Sequence, residues 1–270
     1  MFFWCFSMDL LTFVLLALLV LLASFLASMV GIGGGVFYVP ILVLIFGFSM
    51  KEAVPLSLAM ILPTSIGATI SYLKSGKVIL KLGLFLEPVT LIGATFGFYF
   101  HIHAGQTTLV LLFSLVLLLS SIKIFTGSKR AYNGVENGFF PFSFKNLSKN
   151  GLLLALLLSF LAGFFSASLG IGGGVVKVPI LHLVLGVSMR NSVGTSSFMI
   201  VITTVYSLLL YGSFGRVNLG LALPLAIATF FGAFSGSKFA LSYVEVERIR
   251  MLFAVILIVA AIRMLFQSVF

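Results

Sequence analysis

The chain has 270 residues, of which 61% are hydrophobic and 8% charged, with a formal net charge of +10 and a mean hydropathy of +1.27. A soluble domain carries about 25% charged residues, so this composition excludes a water-solvated fold and makes lipid the solvent. The apolar runs are continuous rather than alternating, as in Leu10 to Met29 and Gly151 to Phe165; this excludes a membrane barrel and leaves an all-α polytopic integral membrane protein.

The first apolar segment, 9–30, ends in small residues that resemble a signal-peptide cleavage site. Residues 1–9 carry no Lys or Arg, however, and the stretch recurs as Ser159 to Gly170, so it is expected to be retained. Then come the cluster Gly31-Ile-Gly-Gly-Gly35 and short segment 35–47, which contains Pro40. Segments 51–73, 78–100 and 105–125 complete a first repeat, 1–125. A polar, basic linker, 126–150, is expected on the cytoplasmic side. The second repeat, 151–270, gives segments 151–169, 174–186, 190–211, 217–239 and 248–268.

The repeats match at an offset of 139 residues. Gly170-Ile-Gly-Gly-Gly174 repeats the first cluster, and Val178-Pro179-Ile180-Leu181 repeats Val39-Pro40-Ile41-Leu42. Gly93-Ala94 and Gly97 recur as Gly232-Ala233 and Gly236, and Tyr72 as Tyr211. Shared glycine, proline and tyrosine positions point to duplication rather than to common greasiness.

Each repeat thus has about four full spans and one short half-helix, eight spans nominally and up to ten helical segments. A half-helix of about 13 residues reaches about 20 Å and cannot cross a core of about 30 Å. If it continues the first span, the repeats are parallel, and Lys51, Arg190, Lys238, Arg248 and Arg250 fall outside. If it turns back, the repeats are inverted, and only Lys51, Arg216 and Arg263 do. Basic residues favour the cytoplasmic side, so the count leans toward inversion.

The glycine clusters carry the chemistry. Glycine costs about 1 kcal/mol per residue within a helix, and lipid cannot satisfy the backbone that such a break frees. Irregular backbone at membrane depth lines a site, and a half-helix beginning there aims N–H groups at an anion. Gly31, Gly33, Gly34, Gly35, Gly170, Gly172, Gly173 and Gly174 are therefore candidate substrate-binding residues, with Pro40 and Pro179 as helix-break residues. Gly93, Gly97, Gly232 and Gly236 read instead as close helix packing. No Gly-Lys-Ser/Thr ending makes either cluster a nucleotide phosphate loop.

Gly-Ile-Gly-Gly-Gly with Val-Pro-Ile-Leu eight residues on, present twice, resembles the sulfite exporter TauE/SafE family (TSUP) of permeases over nearly the whole chain. The resemblance implies about eight spans and movement of sulfur-containing anions across the bacterial cytoplasmic (inner) membrane.

Other residues extend the candidate site. Lys177, between the second cluster and Pro179, is a countercharge for an anion or a snorkelling lysine. Glu87, mid-span before Pro88, is a coupling candidate for a proton or cation, or a structural acid. Ser57, Ser196 and Ser197 are oxyanion donors, as are Thr203 and Thr204, or bond back to their own helices. Lys51 and Arg190 read as interfacial. His101, His103 and His182 lack the convergent partners of a metal site. The single Cys5 excludes an intrachain disulfide and a multi-cysteine metal centre.

The expected protein is a secondary transporter, an exporter, of small sulfur-containing anions such as sulfite, thiosulfate or organosulfonates. It needs no cofactor, no metal and no nucleic acid, and its partners are the anion and the bilayer. An anion channel and a membrane assembly factor without transport activity are the competing readings. No convergent set of His, Asp or Cys suggests an enzyme.

Overall fold

The computed structural model describes residues 9–125, 149–243 and 258–266. The Cys5 reading and nearly all of the expected linker 126–150 lie outside them. In chain order the helices are α1 (Leu10–Val30), α2 (Gly35–Pro40), α3 (Met50–Lys74), α4 (Leu80–His103), α5 (Gln106–Phe125), α6 (Lys149–Leu169), α7 (Gly174–Pro179), α8 (Met189–Ser213) and α9 (Leu219–Tyr243). Residues 258–266 are also helical. The protein is thus an all-helical polytopic membrane protein. Six helices among the described residues, α1, α3, α4, α6, α8 and α9, are long and apolar enough to cross a bilayer.

Outer faces are apolar, as a lipid solvent requires: Leu11 on α1, Phe96 on α4, Leu157 on α6 and Phe231 on α9 are all exposed. Helices α3 and α8 form the interior. Each begins at a Ser-Met pair. Glu52 accepts the Ser49 backbone N–H at 3.1 Å, and the Ser188 hydroxyl accepts the Asn191 N–H at 3.4 Å; side chains thereby satisfy donors that a helix start leaves open.

Small residues decide which helices touch. A Cβ at Gly93 or Gly97 would strike the carbonyls of Phe160 and Phe164, and one at Gly232 or Gly236 those of Leu21 and Phe25. Helix α4 therefore lies directly on α6, and α9 on α1, each pair parallel because the contacts rise together along both chains. Both seams join the two halves of the chain.

Helices α3 and α8 run antiparallel. At one end, Thr195 near the start of α8 accepts the Ile79 N–H just past α3, at 2.9 Å. At the other, Lys51 at the start of α3 donates to the Ile102 carbonyl at 3.3 Å, beside His101, whose ring meets Tyr211 near the end of α8 edge-on. Contacts recur at the 139-residue offset: Tyr72 donates to the Ser28 carbonyl and Tyr211 to the Ala167 carbonyl. The same tyrosine-to-carbonyl contact therefore occurs in both halves of the chain.

The prolines do not break the chain as expected. After Pro40 and Pro179 the backbone stays helical but widens into π-turns, Ile41–Ile45 and Ile180–Val184. Phe46 and Leu185 donate to the carbonyls five residues back, at 3.4 and 3.0 Å. A proline lacks the N–H and crowds the preceding turn; a wider turn absorbs both effects. The interruptions at α1–α2 and α6–α7 lie at the glycine clusters instead.

Candidate functional site

Each break is a run of left-handed glycines. Gly31, Gly33 and Gly34 have φ of 73°, 85° and 89°, and Gly170, Gly172 and Gly173 have 67°, 81° and 74°. Only glycine adopts these angles without strain, so the clusters are required by the path of the chain. After them α2 and α7 turn back beside α3 and α8: a Cβ at Gly35 would lie 2.7 Å from Ile61, and the π-turn that follows α2 ends just before α3 begins at Met50.

The two breaks meet. A Cβ at Gly35 would collide with the Gly170 carbonyl oxygen, and one at Gly174 would approach the Gly31 carbonyl at 2.5 Å. Ser57 donates to the Gly170 carbonyl at 2.8 Å, and Ser196 to the Gly31 carbonyl at 3.1 Å. Each half of the chain therefore ties down the other half's break. The N–H groups of Gly33, Gly34 and Gly35, and of Gly172, Gly173 and Gly174, have no acceptor among the described residues. Carbonyls are held and donors are left over, which is the polarity an anion requires. All of these glycines are buried.

The remaining candidates divide. Ser197 donates back to Val193 at 2.9 Å within its own helix, as the structural alternative holds. Lys177 neither snorkels nor stands alone: it is 1% exposed, and its Nζ lies 3.3 Å from Glu87 Oε2, itself on a residue 2% exposed. Lys177 also donates to Thr203 at 2.5 Å, and Thr203 donates to Glu87 Oε1. One turn after the break, the Lys177 backbone N–H donates to the Gly173 carbonyl at 2.9 Å. At the matching position of the other half, Tyr38 bonds Thr64 at 2.7 Å. The sequence singled out Lys177, Glu87 and Thr203 separately. Their meeting was hidden because Glu87 lies 90 positions from Lys177 and has no acidic counterpart at Ala226. Tyr38, the neutral twin of Lys177, carried no signal beyond its alignment.

The histidines hold backbone instead of converging. His101 pairs with the Ser168 carbonyl, His103 with Tyr99 and His182 with Val187, each at 2.8 Å. No group of three metal-ligating side chains occurs among the described residues. A cavity of about 310 Å³ lies away from the breaks, at the far end of the first half-helix, lined by Val43, Gly47, Ser49 and Gln106 among others.

The chain is 25% identical over 276 residues to a probable membrane transporter protein, YunE, of Bacillus subtilis (strain 168), covering 96% of this chain and 99% of that one. It is 28% identical over 273 residues to a probable membrane transporter protein of Haemophilus influenzae, covering 94% and 98%. It is also 34% identical over 112 residues to the sulfite exporter TauE/SafE family protein 5 of Arabidopsis thaliana, covering 41% of this chain and 25% of that one. No solved structure matches it. The family model described as "Sulfite exporter TauE/SafE" matches residues 16–264. The chain is a membrane transporter and belongs to the sulfite exporter TauE/SafE family.

Proposed function

We propose that the protein is a secondary transporter, working as an exporter, of small sulfur-containing anions such as sulfite, thiosulfate or organosulfonates, and that the anion sits on the N–H groups of the two glycine breaks. The observation that carries this reading is the meeting of the breaks, with carbonyls tied by Ser57 and Ser196 and N–H groups left without protein acceptors. In this reading Ser57 and Ser196 position the breaks, so their part in binding is indirect. The family of the chain supports the sulfur-anion class.

The buried breaks favour a carrier over a channel, since an anion gains access only when one set of helices shifts against the other. The antiparallel α3 and α8 support an inverted arrangement of the two halves in the bilayer. Tyr72 and Arg190 share one end of the bundle, with Leu241 of α9, while Lys51 and Ile102 mark the opposite end. The first end, near Lys74, Lys77 and Lys238 as well, is then cytoplasmic.

Purified protein in sealed vesicles tests the proposal with radiolabelled sulfite and thiosulfate. Saturable uptake and exchange of one anion for the other are expected. Flux that rises without saturation would make it a channel. No flux of either anion, nor of a small sulfonate, under any ion gradient would leave the assembly-factor reading standing.

A further inference from the structure

The buried pair Lys177–Glu87 has no counterpart at the 139-residue offset. The position matching Lys177 is Tyr38, that matching Thr203 is Thr64, and that matching Glu87 is Ala226. One half therefore carries a neutral hydroxyl pair, and the other an ion pair joined by a threonine. The ion pair also joins the halves: Glu87 stands on α4, and Lys177 and Thr203 on α7 and α8.

Besides Tyr206, three residues past Thr203 on α8 with its hydroxyl 2.8 Å from Thr95 of α4, and Tyr99 and Tyr211 further along, the other ionisable groups on these helices sit at their ends. Lys81 begins α4, His101 and His103 close it, Arg190 begins α8, and His182 follows α7. Among the described residues, Lys177 is the only charged group set against Glu87, and Glu87 the only one set against Lys177. A buried charge without a partner is strongly disfavoured, far more than a paired one. The site thus tolerates two neutral occupancies. In one, Lys177 is paired with the Glu87 carboxylate. In the other, Glu87 carries a proton and an external monoanion pairs with Lys177. A proton alone leaves Lys177 bare, and an anion alone leaves the site with an excess negative charge.

We propose that Glu87 is the coupling-proton site of this transporter and that Lys177 is the switch, so that one proton moves with each monovalent anion in the same direction. The proton binds a Glu87 oxygen, Thr203 keeps the protonated carboxyl in place, and the freed ammonium, one turn beyond Gly173, completes the anion site at the breaks. No covalent bond is made, and charge balances in both occupancies. The direction of net movement follows the sum of the anion and proton gradients, so a cell loaded with the anion exports it together with protons. This inference rests on the proposed transport function.

The test uses the full chain in sealed vesicles, with a radiolabelled small alkylsulfonate, a monoanion at every pH used, as the probe and a trapped pH dye. In the wild type, an inward proton gradient of about one unit should concentrate a monovalent anion about tenfold, because one unit is a factor of ten in proton activity. Anion entry should acidify the lumen. Glu87→Gln should abolish the gradient-driven concentration and flatten the pH dependence of exchange, while exchange itself stays measurable. Lys177→Gln should lose exchange as well. Wild-type flux with no proton movement overturns the inference and leaves the transport function intact, and this measurement does not depend on whether a variant folds. Proton-driven concentration surviving in Glu87→Gln overturns it too. Absence of all anion flux in the wild type overturns the transport reading itself.

Discussion

Alanine at Gly35 and Gly174 measures how tightly the two breaks hold each other. Neither glycine has a positive φ, so the substitution brings no strain of backbone angle. The whole effect comes from the added methyl. At Gly35 it would run into the Gly170 carbonyl oxygen and stand 2.7 Å from Ile61 Cδ1; at Gly174 it would stand 2.5 Å from the Gly31 carbonyl and 2.7 Å from Ile32 backbone. The obstacles are mainly backbone, and that backbone is pinned by Ser57 and Ser196, so it cannot swing aside as a side-chain tip does. Overpacking of this kind costs about 1–3 kcal/mol. At this chain length 1 kcal/mol moves a melting midpoint by about 2–4 °C. Gly212→Ala is the control. It lies in the last turn of α8 with nothing within 4 Å of the added methyl, and a helical glycine replaced by alanine gains up to about 1 kcal/mol. Thermal unfolding of the detergent-solubilised variants should rank Gly212→Ala at or above wild type and both break variants clearly below it. The double variant should lose less than the two losses together, because the contacts share one interface. Break variants as stable as Gly212→Ala would refute the contact between the breaks.

The other expectations concern polar groups that pin this centre. Ser57→Ala and Ser196→Ala each leave a buried glycine carbonyl without its donor, at a cost of about 1–3 kcal/mol, read as a lowered midpoint in the same unfolding assay. Lys177→Met strands the Glu87 carboxylate and should cost about 3–5 kcal/mol, whereas Lys177→Met/Glu87→Met removes both charges and should recover much of the loss; a double variant no better than the single one would contradict the pairing. Tyr211→Phe removes the bond to the Ala167 carbonyl and should cost about 1 kcal/mol, with Tyr72→Phe behaving alike if the two halves are mechanically equivalent.

Solvent class, helix count and duplication are legible along the chain because they are local quantities. Twenty apolar residues in a row have one meaning in lipid, and glycines and prolines recurring at one offset need no partner to be recognised. The glycine clusters also announced themselves, since no helix tolerates four glycines in five positions without a purpose. What the residues could not announce was who meets whom. Ser57 and Ser196 looked like donors to a ligand, yet each reaches across the interface to the other half's carbonyl, a contact between positions more than a hundred residues apart. Pro40 and Pro179 looked like breaks, yet a π-turn absorbs them, because helices pressed from several sides keep running where an isolated one would stop. Lys177 and Glu87 became a pair only when α4 was laid against α6 by Gly93 and Gly97 and brought beside α8. Local composition determined that this chain lives in a membrane and breaks its helices twice. Tertiary packing decided that the breaks face each other and that the buried Lys177 is paired with Glu87, since both depend on distances that no stretch of sequence contains.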